Sequence, residues 1–160
     1  MNKGILLGST LCLACIFVVV SAPAGEKKDK KRSDSVVKVK AKLDNNAPVG
    51  KAVVVVQLDI ESGWHLYANP PDHEDLGDSQ LVVKVVGSDS AKIEYPKGKL
   101  VNDKFLGKFM KYDDKIEVRA TVDRKAGDNS PLQLTVALQS CSDTAPLICL
   151  PPAVVKVTVP

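Results

Sequence analysis

Apolar residues in this chain recur at every second position, in short runs broken by Gly, Pro, Asn and Asp. Val37, Val39, Ala41 and Leu43 alternate with Lys38, Lys40 and Lys42. Ile116, Val118, Ala120 and Val122 alternate with Glu117, Arg119, Thr121 and Asp123, and Leu132, Leu134, Val136 and Leu138 with Gln133, Thr135, Ala137 and Gln139. Val155, Val157 and Val159 close the chain. Successive strand residues point to opposite faces, so each run builds a strand with one buried face. Valine, the dominant apolar residue here, is β-branched and suits a pleated surface. Ala52, Val54, Val56, Leu58 and Ile60 form a further inward set. Val53 and Val55 add apolar groups on the opposite face, which predicts a central or covered strand. Leu81 to Val86 and Lys92 to Tyr95 bring the expectation to about eight strands, with no convincing amphipathic helix. Short antiparallel strands at this spacing bury their inner faces by stacking two sheets. The expected fold is an all-β, immunoglobulin-like antiparallel β-sandwich.

The ends of the chain do not share this pattern. Lys3 precedes an apolar stretch from Gly4 to Val20, and Ala22-Pro23-Ala24 has the small-x-small form of a cleavage site. Residues 1–24 are expected to be a signal peptide, with Gly25 opening the mature chain. The alternative is an uncleaved anchor, since the apolar run is about the length of a short membrane span. Residues 25–35, which include EKKDKKRSDS, carry no apolar face and predict a charged, solvated linker. The domain is expected over 36–160. A net charge of +3 without a concentrated basic face argues against nucleic acid as a partner. Membrane contact is expected only through the first segment, if it is uncleaved.

Four cysteines are present. Cys12 and Cys15 lie inside the apolar leader, where their C-x-x-C spacing carries no redox or zinc meaning. Cys141 and Cys149 remain, at a turn between two strand-like runs, followed by Pro151-Pro152. In an exported protein such a pair is expected to be oxidised, in the periplasm or an equivalent compartment. Two thiols and two scattered histidines do not make a zinc site. The acidic loop around Asp72, His73, Glu74 and Asp75 matches no calcium-loop spacing, and neither metal nor cofactor is expected. The residues alone leave two uses for the Cys141–Cys149 bond: a structural staple, as in most exported domains, or an exchangeable disulfide. His65 reads as a strand surface residue and Trp64 as core.

Four blocks decide between these uses by resemblance. Gly63-Trp64-His65-Leu66-Tyr67-Ala68-Asn69, Tyr95-Pro96, Gln139-Ser140-Cys141 and Cys149-Leu150-Pro151-Pro152 resemble, in letters, order and spacing, the N-terminal periplasmic domain family of the thiol:disulfide interchange protein DsbD. The resemblance runs from about Val36 to the end. It implies an immunoglobulin-like fold and a Cys141–Cys149 pair that shuttles reducing equivalents to thioredoxin-like exported proteins. It also implies a cap loop, Asp103-Lys104-Phe105-Leu106-Gly107, with Phe105 covering the disulfide and Tyr67 beside it. From the residues themselves, Leu150 and the Pro151-Pro152 pair leave the edge at Cys149 open to a docking partner, so Cys149 is expected to form the mixed disulfide and Cys141 to resolve it. This chain departs from the family in a longer inter-cysteine loop, Ser142 to Ile148, and in Lys104 where the cap often carries an acid. The membrane and thioredoxin-like domains of the full-length family protein are not expected within these 160 residues, so relay would need a separate membrane reductase. The alternative function is a non-catalytic immunoglobulin-like binding module with a structural disulfide.

Overall fold

The alternating runs become strands in the computed structural model, which describes residues 31–160. The expected signal segment and residues 25–30 of the charged run lie outside the described residues. Eleven strands follow in order: β1 (Val37–Leu43), β2 (Lys51–Ile60), β3 (Trp64–Tyr67), β4 (Val82–Val85), β5 (Lys92–Glu94), β6 (Lys99–Asp103), β7 (Gly107–Tyr112), β8 (Lys115–Asp123), β9 (Leu132–Leu138), β10 (Ser140–Ser142) and β11 (Ala153–Val159). Every strand pair is antiparallel. Among the described residues, the helical elements are two 3₁₀ turns, Ser33–Ser35 and Glu74–Ser79.

The strands form sheets in the orders β1-β2-β8-β5, β11-β9-β4 and β10-β3-β7-β6. Val54, Val56 and Leu58 of β2 and Val118, Ala120 and Val122 of β8 share one core with Val83 and Val85 of β4 and Leu134, Val136 and Leu138 of β9. Leu66, Ala68 and Tyr112 close that core from the third sheet. This is the immunoglobulin-like sandwich expected from period two. Each fully buried valine or leucine contributes about 1.5–3 kcal/mol relative to an exposed one. β2 is central between β1 and β8, and Val53 and Val55 are buried on its outer face, as its unbroken apolar run predicts.

Two differences from the expectation have clear causes. The strand count exceeds eight because residues 99–112 form a hairpin, β6-β7, and because the short β10 pairs with β3. The hairpin's apolar residues fall at both parities (Leu100 and Val101, Phe109 and Met110), which hides the alternation. The charged run is also not solvated to its end. Ser33 is fully buried, and Ser33 N–H donates to Pro151 O at 3.1 Å. The Ser33 hydroxyl donates to Pro151 O at 2.9 Å and accepts from Ser140 N–H at 2.9 Å. A serine can dock where its neighbours cannot, because its short side chain satisfies both a buried donor and a buried acceptor. Trp64 is half-buried against the core, with Lys31 over its ring at 5.2 Å.

Candidate functional site

The third sheet has two faces with different occupants, and its register says which. Ser140 stands opposite Leu66, and Leu66 opposite Tyr112, on the face turned to the main core. The alternate residues face the other way: Cys141 opposite His65, Tyr67 opposite Lys111, and Val101 opposite Phe109. Tyr67, Leu76, Phe109 and Cys141 form a separate small apolar cluster there, flanked by Val101. The Tyr67 ring meets both His65 and Phe109 edge-on, each at 5.5 Å between centroids.

Cys141 and Cys149 are joined by a disulfide, S–S 1.98 Å, between β10 and the segment that pairs with it just before β11. It links chain neighbours and does not pin one sheet to the other in the antibody manner. Its two ends differ. Cys141 is 4% exposed, whereas Cys149 is exposed. The Tyr67 hydroxyl lies 3.7 Å from Cys141 Sγ, and since a disulfide sulfur has no hydrogen, Tyr67 is the donor. Burial, then the nearby Asp103 charge, raises the Tyr67 pKa and keeps that proton in place. Around the accessible sulfur, Leu147 and Ile148 are exposed apolar neighbours. Below it, the Ser33 knot clamps Ser140 and Pro151, and Leu150 N–H donates to Ser140 O at 2.8 Å.

The tip of the β6-β7 hairpin carries the expected cap residues. Asp103 Oδ1 accepts from the backbone N–H groups of Phe105 (2.7 Å) and Leu106 (2.9 Å), which lowers its pKa, and Gly107 takes φ +77°. Only glycine adopts that backbone angle without cost, so aspartate and glycine together shape the turn. Phe105 at its tip is 91% exposed. The resemblance implies that Phe105 covers the disulfide, and in this structure its side chain stands largely in solvent.

His65 requires a correction. It is buried, not a surface residue, because its face of the sheet carries the aromatic cluster. Its Nδ1 donates to Asp143 Oδ1 at 2.8 Å, and Lys111 Nζ donates to the same oxygen at 2.8 Å. Burial lowers the His65 pKa more than the Asp143 charge raises it. For Asp143, burial acts to raise the pKa, and the Lys111 and His65 contacts override it, so the net shift is downward. Asp143 and Lys111 were not singled out from the sequence. The available signal was Lys111 at the same parity as Phe109 in a strand, and an acid two residues beyond Cys141. In the acidic loop, His73 Nδ1 accepts from Asp75 N–H at 3.2 Å and caps the 3₁₀ turn. Among the described residues no three His, Cys, Asp or Glu side chains converge as a metal site would require.

Comparison with known proteins agrees with this architecture. The family "Thiol:disulfide interchange protein DsbD, N-terminal" matches residues 33–160, starting at the docked Ser33. Among individually curated proteins none matches the sequence significantly. The fold is shared with the DsbD N-terminal domain of Neisseria meningitidis in the reduced form (21% identity, TM-score 0.55, 80% of this chain and 87% of that one). It is shared with the complex between the DsbD N-terminal and PilB N-terminal domains of the same organism (19%, TM-score 0.57, 81% and 87%). It is shared too with the N-terminal periplasmic domain of ScsB from Proteus mirabilis (17%, TM-score 0.53, 76% and 44%). With four-fifths of its length matched by the family, this chain belongs to the DsbD N-terminal domain family.

Proposed function

We propose that this chain is an exported thiol–disulfide exchange module that relays reducing equivalents between redox proteins through Cys141 and Cys149. The observation that carries the reading is the unequal burial of the two cysteines. Exchange requires in-line attack on one sulfur while the other leaves with the electron pair. The exposed Cys149 is open to a partner thiolate, and the buried Cys141 leaves beside the Tyr67 hydroxyl, a donor aimed at the sulfur on which charge develops. In the opposite direction Cys149 attacks a partner disulfide and Cys141 resolves the mixed bond. The exchange itself uses no cofactor.

A structural staple has no need for an exposed sulfur flanked by apolar Leu147 and Ile148, a surface suited to a protein partner. A neighbour in this fold forms a complex with another protein's domain, which supports partners of that kind here. We assign it thioredoxin-like exported partners and a separate membrane reductase as electron source, in the periplasm. Phe105, on a hairpin tip free of packing, serves in this proposal as a mobile cover that closes over the disulfide between encounters.

A redox titration tests the reading. A relay predicts a reduction potential above about −300 mV, the upper range for structural disulfides. A lower potential, with no exchange with a thioredoxin-like protein, would leave a non-catalytic binding module with a staple.

A further inference from the structure

Exchange at Cys141–Cys149, the reading on which this inference rests, charges the Cys141 sulfur in both directions. It is the leaving group when a partner attacks Cys149, and the nucleophile when the mixed disulfide is resolved. Cys141 is 4% exposed, and burial disfavours a thiolate. The Tyr67 hydroxyl at 3.7 Å is a neutral donor and does not balance the charge.

The same face of the sheet holds a fixed cation. Lys111 stands opposite Tyr67, with its side chain only 16% exposed. Its Nζ donates to Asp143 Oδ1 at 2.8 Å, and His65, directly opposite Cys141, donates to that oxygen from Nδ1 at 2.8 Å. Asp143 lies two residues beyond Cys141, inside the loop that carries the disulfide. The disulfide loop thus holds the ammonium through Asp143, on the sheet face that also carries Cys141. The other charged groups facing this cluster are accounted for. Asp103 on β6 is held by the hairpin turn, and its negative charge reaches Tyr67, so it opposes a thiolate at Cys141 in the same sense as Asp143. Asp113, after β7, lies 3.8 Å from Lys111, and Lys99 on β6 pairs with Asp113 and with Asp114 at 3.5 Å. Burial favours neutral His65, so Lys111 and Asp143 carry the charge of the network.

We propose that Lys111 is the counter-charge for the Cys141 thiolate, seated by Asp143 and His65, so that the Lys111–Asp143 pair sets how readily the disulfide opens. A partner thiolate attacks Cys149 Sγ, the Cys141–Cys149 bond breaks, and its electron pair moves to Cys141 Sγ. The new bond joins the partner sulfur to Cys149, and no proton moves in that step. Lys111 favours the charged sulfur and Asp143 opposes it.

The opposite signs supply the test. In a chain carrying Cys12→Ser, Cys15→Ser and Cys149→Ser, Cys141 is the sole thiol, and its thiolate absorbance is followed against pH. Lys111→Met raises the midpoint by about one pH unit, and Asp143→Asn lowers it by about as much. Lys111→Arg keeps the cation and stays near the parent value. Simple loosening of the loop would move Lys111→Met and Asp143→Asn in the same direction. That outcome, or an unmoved midpoint in Lys111→Met, overturns the proposal. If circular dichroism shows Lys111→Met unfolded, the other two variants decide: a midpoint that Asp143→Asn leaves unchanged or raises overturns it equally. No partner takes part in this titration, so its result is separate from a failure of the exchange reading, which the redox potential of the native pair would show.

Discussion

Ser33→Ala removes one oxygen from the base of the disulfide loop, and its cost follows from the bonds that oxygen makes. The hydroxyl accepts from Ser140 N–H at 2.9 Å and donates to Pro151 O at 2.9 Å, at a site with no solvent access. In the alanine variant Pro151 O keeps its bond from Ser33 N–H, whereas Ser140 N–H loses its acceptor. A buried donor left without a partner costs about 1–3 kcal/mol. The lost methylene-sized oxygen is too small to admit water as a replacement. We expect a loss of about 2 kcal/mol, read as a lower denaturant midpoint at unchanged m-value. Ser35→Ala is the control: that hydroxyl is exposed and donates only to Arg32 O, so its removal shifts stability by less than about 0.5 kcal/mol. Equal, small effects from both variants would refute the reasoning, because the N-terminal segment would then not be docked beneath Ser140 and Pro151.

Phe105→Ala, at a 91% exposed position, changes stability by less than about 0.5 kcal/mol yet speeds reduction of the disulfide by a small thiol. An unchanged reduction rate would remove the covering role. Opening the disulfide costs about 2.5 kcal/mol for a loop of this length, less than the sandwich core supplies, so thermal melts with and without reductant should both be cooperative. Unfolding of the reduced protein at room temperature would contradict this. Burial lowers the His65 pKa in the folded state, so between that value and the unfolded value near 6.5 the unfolded chain binds the extra proton. This contribution is complete above about pH 6.5 and is lost as pH falls through the window. His65→Gln, which keeps a donor for Asp143, flattens the slope of stability against pH there, and an identical slope in the two proteins would exclude His65 as its source.

The second use of parity, which residues share a face, was legible for the sandwich and only partly so for the site. Tyr67 beside Cys141 follows from the quoted blocks, and the structure places its hydroxyl at the sulfur. His65 sits two residues earlier, on the same face, but its environment was not evident. A strand pattern assigns a face without saying what lies across from it. His65 and Asp143 are 78 residues apart, and Ser33 and Ser140 are 107 apart. Partners at such separations come from sheet register, which the hairpins and crossovers set jointly.

What the chain's letters determined alone are the quantities that local chemistry controls. Period two with valine requires strands, the Gly, Pro and Asx positions place the turns, and the apolar run of β2 requires cover on both faces. The loop at Asp103 to Gly107 came from the family resemblance, and its aspartate and glycine are residues that suit the turn found there. Only tertiary structure decided which sulfur meets solvent, because that depends on where β10 lies against β3 and on the segment leading into β11. It decided as well that a charged tail ends in a buried serine, and that one carboxylate in the disulfide loop collects a histidine and a lysine. Burial and charge pairing are properties of the space between elements, and that space exists only once the sheets have stacked.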